Sequence, residues 1–446
     1  MPSDRTARRA DNDDEVPGLL PDPAEIEETF DRLWPIMRSI TGDGVRETHD
    51  ILGEIVPLTR HEVPSGTKVL DWQVPPEWVC LGATLTGPDG KTVVDVRDHT
   101  LHLVNYSAPF HGAVSRQELE AHLYSLPDLP DAIPYVTSYY TPRWGFCLTD
   151  TQRHALPDGD YQVAIDTAFK EDGSLTYSEA VLPGDTAEEV LFSTYTCHPS
   201  MANNELSGPL VAAYLYRHPA ALPRRRLTYR FVFTPETIGA IAYLDRDGAR
   251  LKQALAAGYV LTCVGNPARL TRKGSRQGDS LADRAAAAAW AHREGTRLID
   301  FYPSGSDERQ YCSPGFDLPV CSISRTLPAE YGTYHTSLDN RDFISFETLA
   351  DSVAAMTEVV RVLETNRTYN SLFPYGEPRL GPRGLVHTLG AGRDARQRME
   401  AVQWFLNLAD GQHDLIAMAE RSGLPFAQLE AVTGPCLEAG LVEVVG

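Results

Sequence analysis

Between residues 189 and 325 the chain alternates short, continuous apolar runs with longer stretches whose apolar positions recur every three or four residues. The runs EVLFSTYTC, RLTYRFVFT, GYVLTCVG and DLPVCSISR are rich in β-branched and aromatic residues, and their length predicts buried strands. Between them, GPLVAAYLYRH, GAIAYLDRDGARLKQAL and ADRAAAAAWAHR predict helices. Strands alternating with helices imply a parallel or mixed α/β sheet covered on both faces, and such sheets bind ligands beyond the carboxyl ends of their strands.

The pattern changes on either side. In residues 23–60, Ile26, Phe30, Leu33 and Met37 lie at helical spacing, which predicts one long helix kinked at Pro35 and a shorter second one. Residues 61–150 are richer in strand formers and carry the turn GPDGK at 87–91; they predict an inserted β-rich domain with Trp72, Trp78 and Trp144 in its core. The α/β domain therefore takes residues 23–60 and 151–367. FPYGEPRLGPRG marks a linker, 368–393, and residues 394–446 predict three helices and a terminal strand, a winged-helix-like module. Residues 1–22 are charged, without an apolar segment, and read as a disordered leader.

Composition narrows the function classes. At 446 residues with 42% apolar content, more than one core can form. A net charge of -21 opposes general affinity for nucleic acid or anionic membrane, and no run of about 18 apolar residues occurs. Seven scattered cysteines without a C-x-x-C pair fit reduced, buried thiols in a cytoplasmic protein. Between Arg396 and the C-terminus three basic residues face seven acidic ones, so the winged helix is expected to serve protein interaction or dimerisation rather than DNA binding. A homo-oligomer is compatible with this reading.

The candidate chemistry collects where strands end. His198 closes the first run, with Asn204 and Glu205 in the following loop; Glu236 follows the second; Asp307 and Glu308 come from YPSGSDERQY, and His335 from YGTYHTSLDN. Imidazole and carboxylate together are the donors zinc prefers, and a spare glutamate can take a proton from a metal-activated water.

The order of CHPSMANNELSGP, TPETIG, DERQYCSPGFDLPV and YHTSLDN resembles the zinc exopeptidases of the bacterial leucyl aminopeptidase and glutaminyl cyclase superfamily. With IPYVTSYYTPRWGFCL upstream, the chain is more closely similar to a bacterial aminopeptidase-like family, described near polysaccharide biosynthesis, with an inserted swivelling β domain and a winged-helix tail. The resemblance implies a zinc-exopeptidase-like mixed sheet flanked by helices. It also implies metal ligation by His198, Asp307 and His335, with Glu236 as general base. Two positions depart from the superfamily. Its metal-bridging carboxylate falls on Asn204, and its second, metal-binding glutamate on Thr237. Both departures weaken one metal position, so a single zinc is expected, with Asn204 or Glu205 as a further ligand. Arg309 and Tyr334 are candidate substrate contacts, Asp339 a candidate partner for His335 or cap for the next helix, and Cys197 a packing residue. The function implied is zinc-dependent hydrolysis of an amide bond in a small peptide or amide. The alternatives are non-peptidase amide chemistry (a deacylase or cyclase) on a biosynthetic intermediate, or a scaffold or regulator acting through the winged helix.

Overall fold

The computed structural model describes residues 20–385 and 393–445. The expected leader lies almost wholly outside the described residues, as does part of the expected linker. The central sheet has eight strands: β1 (Thr59–Pro64), β2 (Ser174–Leu182), β3 (Glu189–Tyr195), β4 (Thr228–Thr234), β5 (Leu255–Leu261), β6 (Thr271–Lys273), β7 (Arg297–Ile299) and β8 (Val320–Ser324). Their order is β1-β2-β4-β3-β5-β8-β6-β7, with β4, β3, β5 and β8 parallel and β1 and β2 antiparallel at one edge. The longer helices of this domain are α1 (Pro23–Leu33), α2 (Asp43–Gly53), α3 (Ser207–Ala221), α4 (Ile238–Ala254), α5 (Leu281–Ala289) and α6 (Phe346–Thr365).

Strand β3 shows why the runs near its position carry no polar alternation. All seven of its residues are buried. Val190 and Phe192 join a core built with α1, α3, α5 and α6, while Leu191 joins a second core with α4 and the inserted domain on the opposite face. From β3 the chain crosses to β4 on one side and then to β5 on the other, so the direction of winding reverses at the carboxyl end of β3.

The N-terminal helix is shorter than expected. It is capped by Asp22, whose carboxylate accepts from the Ala24 N–H at 2.9 Å, and it ends at Leu33, two residues before a proline that has no N–H to continue the ladder. Met37 lies outside it. The β-rich insert contains a four-stranded antiparallel sheet, Thr92–Asp95, Glu77–Thr86, Asp160–Lys170 and Phe110–Ser115 in spatial order. Its third strand therefore falls beyond residue 150, where the sequence texture changes, and β1 takes residues on both sides of the boundary expected at 61. Trp78 is buried and Trp144 half-buried, but Trp72 is 41% exposed, contrary to the expected core position.

At the C-terminal end α7 (Arg393–Leu408), α8 (Leu415–Ser422) and α9 (Phe426–Glu438) accompany a three-stranded sheet. Its central strand is Thr368–Ser371, inside the stretch expected as linker, flanked by Asp410–Asp414 and Val442–Val445. The module is held to the α/β domain by Arg284 pairing with Asp414 and Glu420 and by Arg361 pairing with Glu430. No helix among the described residues is long and apolar enough to cross a membrane.

Candidate active site

The candidate residues meet at the carboxyl ends of β3 and β4. Three residues past β3, His198 is 5% exposed and its Nδ1 lies 2.9 Å from Glu205 Oε2. A carboxylate there fixes Nδ1 as the protonated nitrogen and leaves Nε2 facing the site, 3.6 Å from Glu236 Oε2. Glu236, two residues past β4, also accepts from Ser306 Oγ at 3.2 Å. Asp307 Oδ1 accepts from the Thr237 N–H at 2.8 Å, so the loop after β7 is drawn against the end of β4. Glu308 anchors that loop through a buried ion pair with Lys273, whose Nζ also donates to the Ser304 carbonyl at 2.5 Å.

The His335 ring lies 5.5 Å from that of His198, centroid to centroid, and stacks on Tyr334 at 3.9 Å. His198, Glu236, Asp307 and His335 are thus brought into one cluster. Arg309 borders it, its guanidinium donating to Thr237 Oγ1 at 2.9 Å and to the Gly305 carbonyl at 3.2 Å. Backbone strain concentrates at the same place: Thr237 and His335, neither a glycine, have φ of +63° and +57°.

Asn204 and Glu205 belong to a π-type turn, Ala202–Leu206, that runs directly into α3. The turn is held by Asp339, whose two carboxylate oxygens accept from the Asn203 N–H at 2.7 Å and the Asn204 N–H at 2.9 Å. Asp339 therefore clamps this turn, and no hydrogen bond joins its carboxylate to His335 or to the next helix. Asn203 Oδ1 continues the clamp to the end of β5 by accepting from Gly265 and Asn266. Gly208 is required by closeness: a Cβ there would sit 2.3 Å from the Leu261 carbonyl and 2.4 Å from Thr194 Oγ1.

Electrostatics follow from burial. Desolvation pushes Asp307 well above the usual carboxylate range, helped by neighbouring Glu236, and raises Glu236 against the opposing pull of His198 and Arg309. Burial, with His198 beside it, pushes His335 down to about 3, and burial pushes the Cys197 thiol up to about 11. Among the described residues, the set of three potential metal donors lying within 4.8 Å of one another is Cys197, His198 and Glu205 rather than the expected His198, Asp307 and His335. In the first set Glu205 Oε2 takes His198 Nδ1 and Cys197 Sγ accepts the Glu236 N–H at 3.2 Å, while Glu205 Oε1 has no hydrogen-bond partner and faces Arg38 Nε at 3.6 Å. Asp307 Oδ2, His335 Nε2 and Asn204 Oδ1 are likewise buried with no hydrogen-bond partner, and among the described residues no guanidinium stands against them as Arg38 does against Glu205 Oε1.

Two further groups reach the site without a local sequence signal. Arg38, fully buried, donates from Nε to the His198 carbonyl at 2.8 Å and lies 3.6 Å from Glu205 Oε1. Tyr135, from the inserted domain, places its ring 5.1 Å from the rings of both His198 and His335. Arg38 falls inside the stretch expected as a helix, and Tyr135 lies in IPYVTSYY, a stretch without a histidine, acidic or basic residue to mark it.

The model of the family described as Domain of unknown function (DUF4910) matches residues 27–366. The chain belongs to the DUF4910 family. A winged helix-turn-helix model matches residues 367–444, in agreement with the helices and sheet at that end. A Clostridium acetobutylicum protein of 42% identity over 422 residues, 94% of this chain and 96% of its own, carries the provisional name polysaccharide biosynthesis protein with aminopeptidase-like domain. A crystal structure from the same species, provisionally named a peptidase, superposes with a TM-score of 0.88 at 39% identity, covering 95% of this chain and 96% of that one. A zinc aminopeptidase from Bacillus subtilis superposes with a TM-score of 0.55 at 14% identity, over 76% of this chain and 95% of that one, a likeness of fold alone. The DUF4910 domain here thus has the aminopeptidase-like α/β fold, with a winged helix appended.

Proposed function

We propose that the cluster is a single-zinc site for hydrolysis of an amide bond, aminopeptidase-like in its chemistry. The observation that carries this reading is the set of orphaned donors. Asp307 Oδ2, His335 Nε2 and Asn204 Oδ1 are buried lone-pair atoms without partners, from two loops and a turn that also surround His198. Buried polar atoms are rarely left unpaired, and one carboxylate, two imidazoles and an amide oxygen are a donor set that fits one dication.

When bound, zinc supplies Lewis acidity to an amide carbonyl and to a water beside it. The chain supplies the rest. Glu205 holds His198 so that Nε2 points into the site, and Glu205 is therefore the partner behind a ligand rather than a ligand. Glu236, held by Ser306 and adjoining His198, takes the proton from the attacking water and returns it to the leaving amine. The relative's name refers to polysaccharide biosynthesis, so we add N-acylated sugars to peptides as substrates to assay.

The test is metal content together with activity. One zinc per chain is expected by plasma mass spectrometry, lost in His198→Ala and kept in Glu236→Gln. Hydrolysis of peptide or N-acyl sugar panels is expected to fall at least ~10²-fold in Glu236→Gln. Protein without stoichiometric metal, even after zinc addition, would refute the reading in favour of a scaffold.

A further inference from the structure

The inserted domain does more than flank the cluster. Its segment 133–139 pairs with the loop that bears His335: the Tyr135 N–H donates to the His335 carbonyl at 2.8 Å, and the Ser337 N–H donates to the Ile133 carbonyl at 2.9 Å. In return the Ile133 N–H donates to Ser337 Oγ at 2.9 Å, and Pro134 bridges Thr336 antiparallel. This pairing pins the carbonyl of a residue whose φ is +57°, a conformation that a non-glycine residue keeps only when its surroundings enforce it.

The side chain of Tyr135 then stands against both histidines, edge-on to His335 and tilted to His198, each at 5.1 Å between centroids. Its hydroxyl lies 2.7 Å from that of Tyr139, which donates to Asn105 Oδ1 at 3.0 Å. Asn105 Nδ2 donates to the Arg38 carbonyl at 2.8 Å, and Arg38 Nε donates to the His198 carbonyl at 2.8 Å. A continuous run of contacts therefore joins one histidine to the other through the inserted domain.

We propose that Tyr135 is a positioning residue of the metal site: its ring is the spacer that sets the separation of His198 and His335, and the segment 133–139 fixes the His335 backbone. This rests on the zinc reading above. It goes beyond that reading in making the inserted domain a structural component of the site, so that the α/β domain alone does not present both histidines in register. Second-row groups that fix histidine orientation commonly change metal affinity 10- to 100-fold when removed.

Zinc affinity by chelator competition, and the visible spectrum of the cobalt-loaded protein, test the proposal on the full chain. Tyr135→Leu, which removes the ring, is expected to weaken zinc at least ~10-fold and to change the cobalt bands. Tyr135→Phe, which keeps the ring and loses only the hydroxyl, is expected to stay within about threefold of the parent, so the pair separates the spacer from general destabilisation. In metal-free protein, amide hydrogen exchange at Tyr135 and Ser337 is expected to speed up in Tyr135→Leu while amides of β3 and β5 keep their protection. Parent protein that binds zinc, with Tyr135→Leu binding it equally and with the same spectrum, overturns the proposal and leaves the zinc reading standing. Parent protein that binds no zinc overturns both. A Tyr135→Leu that loses protection throughout the sheet assigns Tyr135 to the fold at large and also overturns it.

Discussion

Replacing Arg38 by methionine tests how the candidate site is built, because the arginine is 0% exposed and lies behind the His198 strand end. It donates at 2.8 Å to the His198 carbonyl, at 2.8 Å to the Leu33 carbonyl and at 3.3 Å to Thr48 Oγ1, and Glu205 Oε1 stands 3.6 Å from its Nε. Methionine fills most of the volume but leaves the Glu205 carboxylate buried without its counter-charge. Breaking a buried pair from one side costs about 3–5 kcal/mol, and each orphaned carbonyl adds about 1 kcal/mol. A loss of ~5–7 kcal/mol is therefore expected, which at about 2 °C per kcal/mol for a large domain lowers Tm by roughly 10–14 °C. Urea unfolding followed by circular dichroism measures the free energy directly. Arg38→Met combined with Glu205→Gln is expected to cost less than the sum of the two single changes by at least ~1 kcal/mol, because the second substitution removes the stranded charge. The control is Arg32→Met: Arg32 meets Glu54 at 2.6 Å, a shorter contact, but both are solvent-exposed, so no resolvable change is expected. The reasoning fails if Arg38→Met stays within ~1 kcal/mol of the parent, or if the double variant is additive.

Two further outcomes follow from single residues. His49 is buried between Ser178 Oγ and Thr196 Oγ1, each at 2.8 Å, and burial, aided by Arg60, pushes it down to about 3. It stays neutral in the folded chain while the unfolded chain protonates near pH 6.5, so its contribution is complete above that pH and is lost as pH falls towards 3. The expected slope from this group is about 1.4 kcal/mol per pH unit between pH 6 and 4, and His49→Gln should flatten the measured stability–pH curve by that amount; an unchanged slope would remove His49 from the account. Gly208→Ala puts a methyl group against the Leu261 carbonyl and Thr194 Oγ1 at 2.3 and 2.4 Å, and overpacking of that kind costs about 1–3 kcal/mol; a thermal melt matching the parent would show that α3 shifts freely, contrary to its clamp.

Much of the architecture was legible because continuous apolar runs and helical spacing are local signals. The four strand stretches and three helix stretches of the α/β domain all fall on observed elements, since β3, β4, β5 and β8 are buried on both faces and cannot alternate with polar residues. The misses arose where pairing is non-local. Thr368–Ser371 is four residues long and polar at the ends, so only its partners Asp410–Asp414 and Val442–Val445, some forty and seventy residues away, make it a strand. Trp72 was expected inside because tryptophan usually is, but in its two-residue hairpin the partner Val69 takes the buried position, 2% exposed, while Trp72 is left against Tyr140 near the surface. At the site, individual residue types were readable, but their partners were not: nothing local connects Glu205 to Arg38 or His335 to Tyr135, pairs more than 160 residues apart in sequence.

That difference bears on the charge that the proposed site would balance. The resemblance to the zinc exopeptidases puts Asn204 where they carry a bridging carboxylate, and the nearest carboxylate in sequence, Glu205, is turned the other way by the π-type turn. Asn204 Oδ1 is left without a partner, while Glu205 is engaged by His198 at 2.9 Å and faces the buried Arg38 at 3.6 Å. The charge of Glu205 is therefore matched by a guanidinium before any cation arrives. Thr237, in place of a second carboxylate, accepts a hydrogen bond from Arg309, a positive group where a second dication would need a negative one. In the proposed mechanism Glu236 is reserved for proton transfer, and the proposed donors then carry a single carboxylate, that of Asp307. Two dications a few ångströms apart repel by several kcal/mol even at an effective dielectric constant of 20, and one carboxylate does not offset that repulsion. The proposal of one metal ion per chain therefore rests on Arg38 and Arg309 as much as on the absence of Asp at position 204.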